Sequence, residues 1–215
     1  MVIAKIQKKN DNNVIVLLDN DQKLFLSYEV LLKNGLRKGS EISESHFDFL
    51  VKENQKYFIK QKAYTLLGKR LHSVSELRTK LRQKKYDQDL IQITIDELLD
   101  SRYLDDTKFA EMFSEEKLRL KLWGKIKLKS ELMKKGVSSA IITAVLEEKF
   151  PAVEEELDNA SQLVKKKYNS LKNRNMEKQK LVKRLYAFLI SKGYSYDISR
   201  QAIEKLFNLS LEEEL

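Results

Sequence analysis

Cysteine is absent from this 215-residue chain, proline occurs once (Pro151), glycine six times and histidine twice, as His46 and His72. Without cysteine there is neither a disulfide nor a thiol nucleophile, and two histidines alone exclude structural zinc of the usual Cys/His type. No apolar run approaches the roughly 18 to 20 residues that a membrane helix needs. The opening MVIAKIQKKN has no long apolar signal core. These absences predict a soluble protein of a reducing compartment. The scarcity of glycine and proline, the strongest breakers of regular structure, predicts helix. What is present in quantity is charge: 41 Lys and Arg against 32 Asp and Glu, a net +9 at pH 7. Apolar residues make up 42%, enough for small cores but low for one large one. The basic excess favours a polyanionic partner without naming it.

The first stretch is β-like. Residues 2–6 (VIAKI), 14–18 (VIVLL) and 24–28 (LFLSY) are short β-branched or aromatic runs separated by KKNDNN and DNDQ, both rich in turn formers. A small antiparallel meander is expected, then a short helix over Glu29–Asn34 stopped by Gly35, and a turn at Gly39-Ser40. From about Ser43 onward apolar residues recur at three- and four-residue spacing, as in Phe47, Leu50, Val51, Phe58, Tyr64, Leu67 and Leu71.

The helical part repeats. Segments 76–95, 127–146 and 184–203 align with one another without gaps. One column holds Leu77, Leu128 and Leu185, and four residues later stand Leu81, Leu132 and Leu189, an i, i+4 apolar stripe on a short helix. Further columns hold Tyr86, Val137 and Tyr194; Leu90, Ile141 and Ile198; and Ile95, Leu146 and Ile203. Asp87, Ser138 and Ser195 follow the Tyr/Val/Tyr column as N-caps of a further helix, whose inner face is read as 90, 94, 95 and their equivalents. Ser73 with Glu76 fits a capping box. Another helix precedes each stripe, over about 58–71, 106–121 and 153–168. The expected fold is mainly α: an elongated array of three tandem three-helix repeats behind a small antiparallel β-containing part. The segments are 1–55, 56–104, 105–150 and 151–215, the last with an acidic tail. Pro151 is placed at a helix N1 position, and NSLKNRN (169–175) predicts a loose joint.

Charge follows the repeat. Residues 60–85 carry a net +8, 86–116 a net −8, 117–135 a net +7, 136–164 a net −5 and 165–184 a net +8, while the charges of segment 1–55 cancel. Any one lysine is adequately explained as a solvated helix face. Three basic blocks in register fit a discontinuous stripe along an elongated polyanion or acidic groove. The charge register singles out Arg70, Arg78, Lys80, Arg82, Lys84 and Lys85 in the first repeat as partner- or DNA-binding residues. In the second it singles out Arg119, Lys121, Lys125, Lys127, Lys134 and Lys135, and in the third Lys165, Lys166, Lys167 and Arg184. Trp123, at a helix joint, suits either packing or a contact surface.

No catalytic constellation emerges. Gly68-Lys69 and Gly124-Lys125 lack the upstream glycine and the strand of a phosphate loop. His46 and Asp48 have no third ligand in view. Asp105-Asp106 could be drawn as a metal-nuclease pair, but its place ahead of a helix suits an N-cap and a dipole partner. Glu115-Glu116-Lys117 echoes a nuclease pattern without the strand to carry it. The chain is read as a non-enzyme without cofactor or metal. A plain DNA-binding helical protein, a metal nuclease using Asp105 and Asp106, and a scaffold are the rival readings.

At Tyr103-Leu104-Asp105-Asp106, followed by Phe109-Ala110, the chain resembles the RecX family of bacterial recombination regulators. The family's EL-x-x-KL helix is matched by Glu76-Leu77-Arg78-Thr79-Lys80-Leu81, and its second EL-x-x-K-G-[IV] helix by Glu131-Leu132-Met133-Lys134-Lys135-Gly136-Val137. Ser191-Lys192-Gly193-Tyr194 is a weaker echo. The likeness spans about 60–205, and the β-containing start resembles an extension that many members carry. Trp123-Gly124-Lys125-Ile126 departs from the Gly-Pro that the family often has there. The resemblance implies a cytoplasmic, non-enzymatic modulator of the RecA recombinase in recombination and SOS repair. Family members are elongated arrays that lie in the groove of the RecA–DNA filament, in some cases touching DNA. They suppress filament growth, strand exchange, ATP hydrolysis and co-protease activity. A monomer with no membrane partner is expected.

Overall fold

The computed structural model describes residues 1–172 and 177–212, with side chains to residue 207. Strands β1 (Ile3–Asn10), β2 (Asn13–Leu18) and β3 (Lys23–Ser27) form an antiparallel meander in the order β1-β2-β3. Val14, Val16 and Leu18 alternate with half-exposed neighbours, so one sheet face is buried with Ile3, Leu24 and Leu26. Helix α1 (Tyr28–Lys33) and the start of α2 (Glu44–Leu67) cover that face through Val30, Leu31 and Leu50. Strand β1 runs further than the apolar pattern predicts. Polar Lys8 and Asn10 remain paired with Val14 and Asn13, and a two-residue turn at Asp11-Asn12 closes the hairpin. Asn54 of α2 accepts from Ser27 N at 2.7 Å and donates to Phe25 O at 2.7 Å, which occupies the open edge of β3.

Helix α2 is longer than the expected 58–71. Ser43 caps it by accepting from His46 N, no glycine or proline interrupts it, and it stops at Gly68. Then come α3 (Val74–Arg82), α4 (Gln88–Asp100), α5 (Asp106–Lys121), α6 (Lys125–Lys134), α7 (Ser139–Lys149), α8 (Val153–Asn169), α9 (Lys178–Lys192) and α10 (Tyr196–Glu212). The stripe Leu77/Leu81, Leu128/Leu132 and Leu185/Leu189 is fully buried in every repeat. Asp87, Ser138 and Ser195 each cap a helix as expected, accepting from Leu90 N, Ile141 N and Ile198 N. Thr94 and Ile95 of α4 are buried as expected, together with Ile91 and Leu98, whereas Leu90 is only half-buried. Ile91, Ile95 and Leu98 stand at i, i+4 and i+7, one face of the helix, and Leu90 lies beside it. Pro151 stands ahead of the N-cap Ala152, not at N1, because α8 begins only at Val153. Of the joint expected at 169–175, residues 173–175 lie outside the described residues, as does the acidic end after Glu212.

The chain divides into two compact units, one of Met1–His72 with Glu76–Leu104, the other of Ser73–Ser75 with the chain from Asp105 onward. Within the second unit one clasp occurs twice. Ser73 Oγ donates to Lys135 O at 2.6 Å, and at the equivalent place one repeat later Gly124 N donates to Lys192 O at 2.9 Å. A carboxylate caps each neighbouring amide: Asp106 Oδ1 accepts from Val74 N at 2.9 Å, and Glu156 Oε1 from Lys125 N at 3.1 Å. Gly136 and Gly193, both at positive φ, leave no space for a Cβ against Ser75 and Lys127 respectively. In the repeat alignment Lys85 stands in their column, also in the left-handed region at φ 60°.

Candidate partner-binding surface

The basic residues singled out by the charge register fall into two groups by what they touch. Arg82 at the end of α3, and Lys84 and Lys85 in the turn after it, are exposed and make no side-chain hydrogen bond or ion pair among the described residues. The same holds for Arg119 in the last turn of α5, Lys165 and Lys166 near the end of α8, and Arg184 on α9. A cation in the last turn of a helix also meets the negative end of its dipole, so Arg82 and Arg119 sit favourably without a partner.

The others have intramolecular work. Arg70 bonds the carboxylate of Glu76 at 3.0 and 3.4 Å and the Leu71 carbonyl at 2.7 Å. Arg78 donates to Gln92 Oε1 at 3.0 Å. Lys134 pairs with Glu131 at 2.8 Å, one helical turn back. Lys167 lies over the Phe188 ring at 5.2 Å. Lys127 donates to Ser191 O at 2.8 Å. Lys125 and Lys135 enter the two clasps through their backbones. Lys129, Lys180 and Lys183 lie in the same blocks, are exposed, and were not singled out. Their only signal in the sequence is their share of the block charge.

Lys80 contacts His72, a residue that the sequence reading left without a role. His72 is buried in the segment before α3, its Nε2 2.9 Å from Lys80 Nζ and its Nδ1 3.0 Å from the Arg70 carbonyl. An ammonium only donates, so Nε2 is the acceptor and Nδ1 carries the proton. Burial lowers the His72 pKa, and the charges of Arg70 and Lys80 push the same way, against the raising effect of the Arg70 carbonyl.

Trp123 is a packing residue. It is 9% exposed, meets Phe113 edge-on with centroids 6.3 Å apart, and has Lys121 and Lys127 over its ring at 5.3 and 5.1 Å. The joint around it is held by Tyr194, whose hydroxyl donates to Leu122 O at 2.8 Å and whose pKa burial pushes up. Leu122 itself is left-handed, at φ 47°.

The residues that could be drawn as chemistry are occupied structurally. Asp105 caps α5 by accepting from Lys108 N at 3.0 Å, while Asp106 accepts from Val74 N. Among the described residues no three His, Asp or Glu side chains gather as a metal-holding group, and no helix is long and apolar enough to cross a membrane.

Three family models match the chain: the first three-helix domain of RecX over residues 60–98, the second over 105–146 and the third over 154–203. The regulatory protein RecX of Clostridium perfringens (strain 13 / Type A) is 35% identical over 204 residues, covering 95% of this chain and 94% of its own. The regulatory protein RecX of Clostridium botulinum (strain Eklund 17B / Type B) is 32% identical over 209 residues, covering 96% of each. A crystal structure of a regulatory protein RecX superposes with a TM-score of 0.72 at 20% identity, over 94% of this chain and 98% of that one. RecX from Lactobacillus salivarius superposes with a TM-score of 0.62 at 23% identity, over 72% and 97%. These two structures share the fold. With three matched domains in order, and with both clostridial relatives aligned along nearly the whole length, this chain belongs to the RecX family.

Proposed function

We propose that this protein is a non-enzymatic, cytoplasmic regulator of RecA that binds the recombinase and the groove of its DNA filament. It acts as a monomer and without a cofactor, and it restrains filament growth, strand exchange, ATP hydrolysis and co-protease activity. The observation that carries the reading is the recurrence of one three-helix domain in three consecutive family matches, each containing exposed basic residues. The segments 56–104, 105–150 and 151–215 serve as three contact modules behind the segment 1–55. Joined in one chain, contacts that are weak singly reinforce one another through high effective concentration. The leading contacts are Arg82, Lys84, Lys85, Arg119, Lys165, Lys166 and Arg184, the exposed cations of the charge register that no side chain of the described residues engages.

The test is RecA-catalysed ATP hydrolysis on single-stranded DNA with and without this protein, using the recombinase of the same species. Hydrolysis should fall at less than one regulator per RecA protomer. Unchanged hydrolysis at every ratio would overturn the proposal. Tight, steeply salt-dependent binding to bare DNA with no preference for filaments would instead establish a plain DNA-binding protein. Metal-dependent DNA cleavage that disappears in Asp105→Asn/Asp106→Asn would refute the non-enzymatic reading.

A further inference from the structure

The three matched domains begin at residue 60, and the sheet before them has one face that nothing in its own unit covers. The register defines that face. Lys5 pairs with Leu17 and Leu17 with Lys23, forming one cross-strand row; Gln7 pairs with Ile15 and Ile15 with Phe25, forming the next. Side chains of one row share a face. Val14, Val16, Leu24, Leu26 and, partly, Ile6 turn to the core, so these two rows turn away from it. Phe25 is 51% exposed, and Ile15 and Leu17 are half-exposed. Lys9 lies over the Phe25 ring at 4.9 Å.

The surface is therefore a short apolar strip, Leu17-Ile15-Phe25, bordered by Lys5, Lys9 and Lys23. No carboxylate pairs with these lysines among the described residues. Of the nearby acids, Asp11 pairs with Lys8 at 2.7 Å and Asp19 accepts from Val2 N at 3.0 Å. Asp21 lines the same hollow as Lys5 and Lys23, which leaves three lysines against one carboxylate on this face. An apolar strip with a cationic rim fits a ligand of the opposite charge that also has apolar side chains to bury. Nucleic acid fits less well. Two of the three strip residues are aliphatic and give no stacking platform, and the one ring already carries Lys9 on its face.

We infer that the outer face of the N-terminal sheet, with Ile15, Leu17 and Phe25 at its centre and Lys5, Lys9 and Lys23 at its rim, docks an acidic peptide segment of a protein partner, one that carries apolar side chains between its carboxylates.

The probe is a short fluorescent peptide in which glutamate and leucine alternate, titrated into the full-length protein and followed by anisotropy, with nuclear magnetic resonance shift mapping. Binding should saturate and shift the amides of β1 to β3. Lys5→Glu/Lys23→Glu should weaken it at least about tenfold, as should Ile15→Thr/Phe25→Thr, which keeps strand-favouring residues on a surface remote from the core. Circular dichroism should be unchanged in both. Shifts mapping elsewhere, equal affinity in either variant, or equal binding of a lysine–leucine peptide would overturn the inference. So would displacement of the peptide by oligothymidylate at comparable affinity, which would make the face a nucleic-acid surface.

Discussion

Gly124 packs against Gly193 backbone to backbone: a Cβ on Gly124 would stand 2.5 Å from the Gly193 carbonyl oxygen, while Gly124 N donates to Lys192 O at 2.9 Å. Neither backbone can retreat without losing that bond. Gly124→Ala should therefore destabilise the protein by roughly 1–3 kcal/mol. Gly68→Ala, in the right-handed region beside only the Tyr64 carbonyl, should stay within about 0.5 kcal/mol. Urea unfolding of both variants separates the two cases, and equal losses would remove the packing explanation.

Asp106 and Glu156 place carboxylates on the free amides of Val74 and Lys125. Replacing either by alanine should cost about 0.5–2 kcal/mol, the range for a lost helix cap. Thermal unfolding of Asp106→Ala and Glu156→Ala should show losses of similar size. A neutral outcome for both would mean that water serves those amides equally well.

Lys85 occupies the left-handed position that Gly136 and Gly193 hold in the other repeats. Lys85→Gly should stabilise the protein by about 0.5–1 kcal/mol, the left-handed penalty of a side chain less the extra chain entropy of glycine. If Lys85 also contacts RecA, the same variant will unfold at a higher temperature yet inhibit ATP hydrolysis less. A variant improved in both respects would release Lys85 from the binding surface.

The lowered pKa of buried His72 has a definite sign. An unfolded histidine protonates near pH 6.5, before the folded one does. His72 therefore contributes full stability above that pH, and loses it progressively as the pH falls through the folded pKa. His72→Gln should be less stable at neutral pH and show a flatter decline of melting temperature between about pH 7 and pH 5. Parallel curves for the two proteins would refute it.

Charge reversal should separate contact residues from structural ones. Arg82→Glu/Lys84→Glu should cost no more than about 1 kcal/mol, the loss of Arg82 from the negative end of the α3 dipole. It should weaken RecA inhibition several-fold, because neither side chain has a hydrogen bond or ion pair to lose among the described residues. Lys127→Glu should lower the melting temperature, since it removes the bond to Ser191 O and the cation over Trp123. Loss of inhibition in Lys127→Glu without loss of stability would move that residue to the binding group.

Much of this protein was determined locally. The columns Leu77/Leu128/Leu185 and Leu81/Leu132/Leu189 are apolar because each sits on the inner stripe of a short helix. Asp87, Ser138 and Ser195 start helices because their side chains satisfy open amides one turn on. Such signals act over a few residues, so the three-helix repeat, the meander and the basic blocks were all legible in the chain. Tertiary structure decided what depends on residues far apart. Lys127 and Arg82 belong to the same kind of basic block, yet only Lys127 meets a carbonyl 64 residues away. Asp106 reads as a helix-dipole partner and turns out to serve an amide 32 residues earlier as well. Trp123 could not be divided between packing and contact until Phe113 was seen to close one side and two lysines its face. The scarcity of glycine, at first only a sign of helix, acquired a second meaning at Gly124, Gly136 and Gly193, where the Gly193 backbone, the Ser75 side chain and Lys127 respectively come too close for any added Cβ.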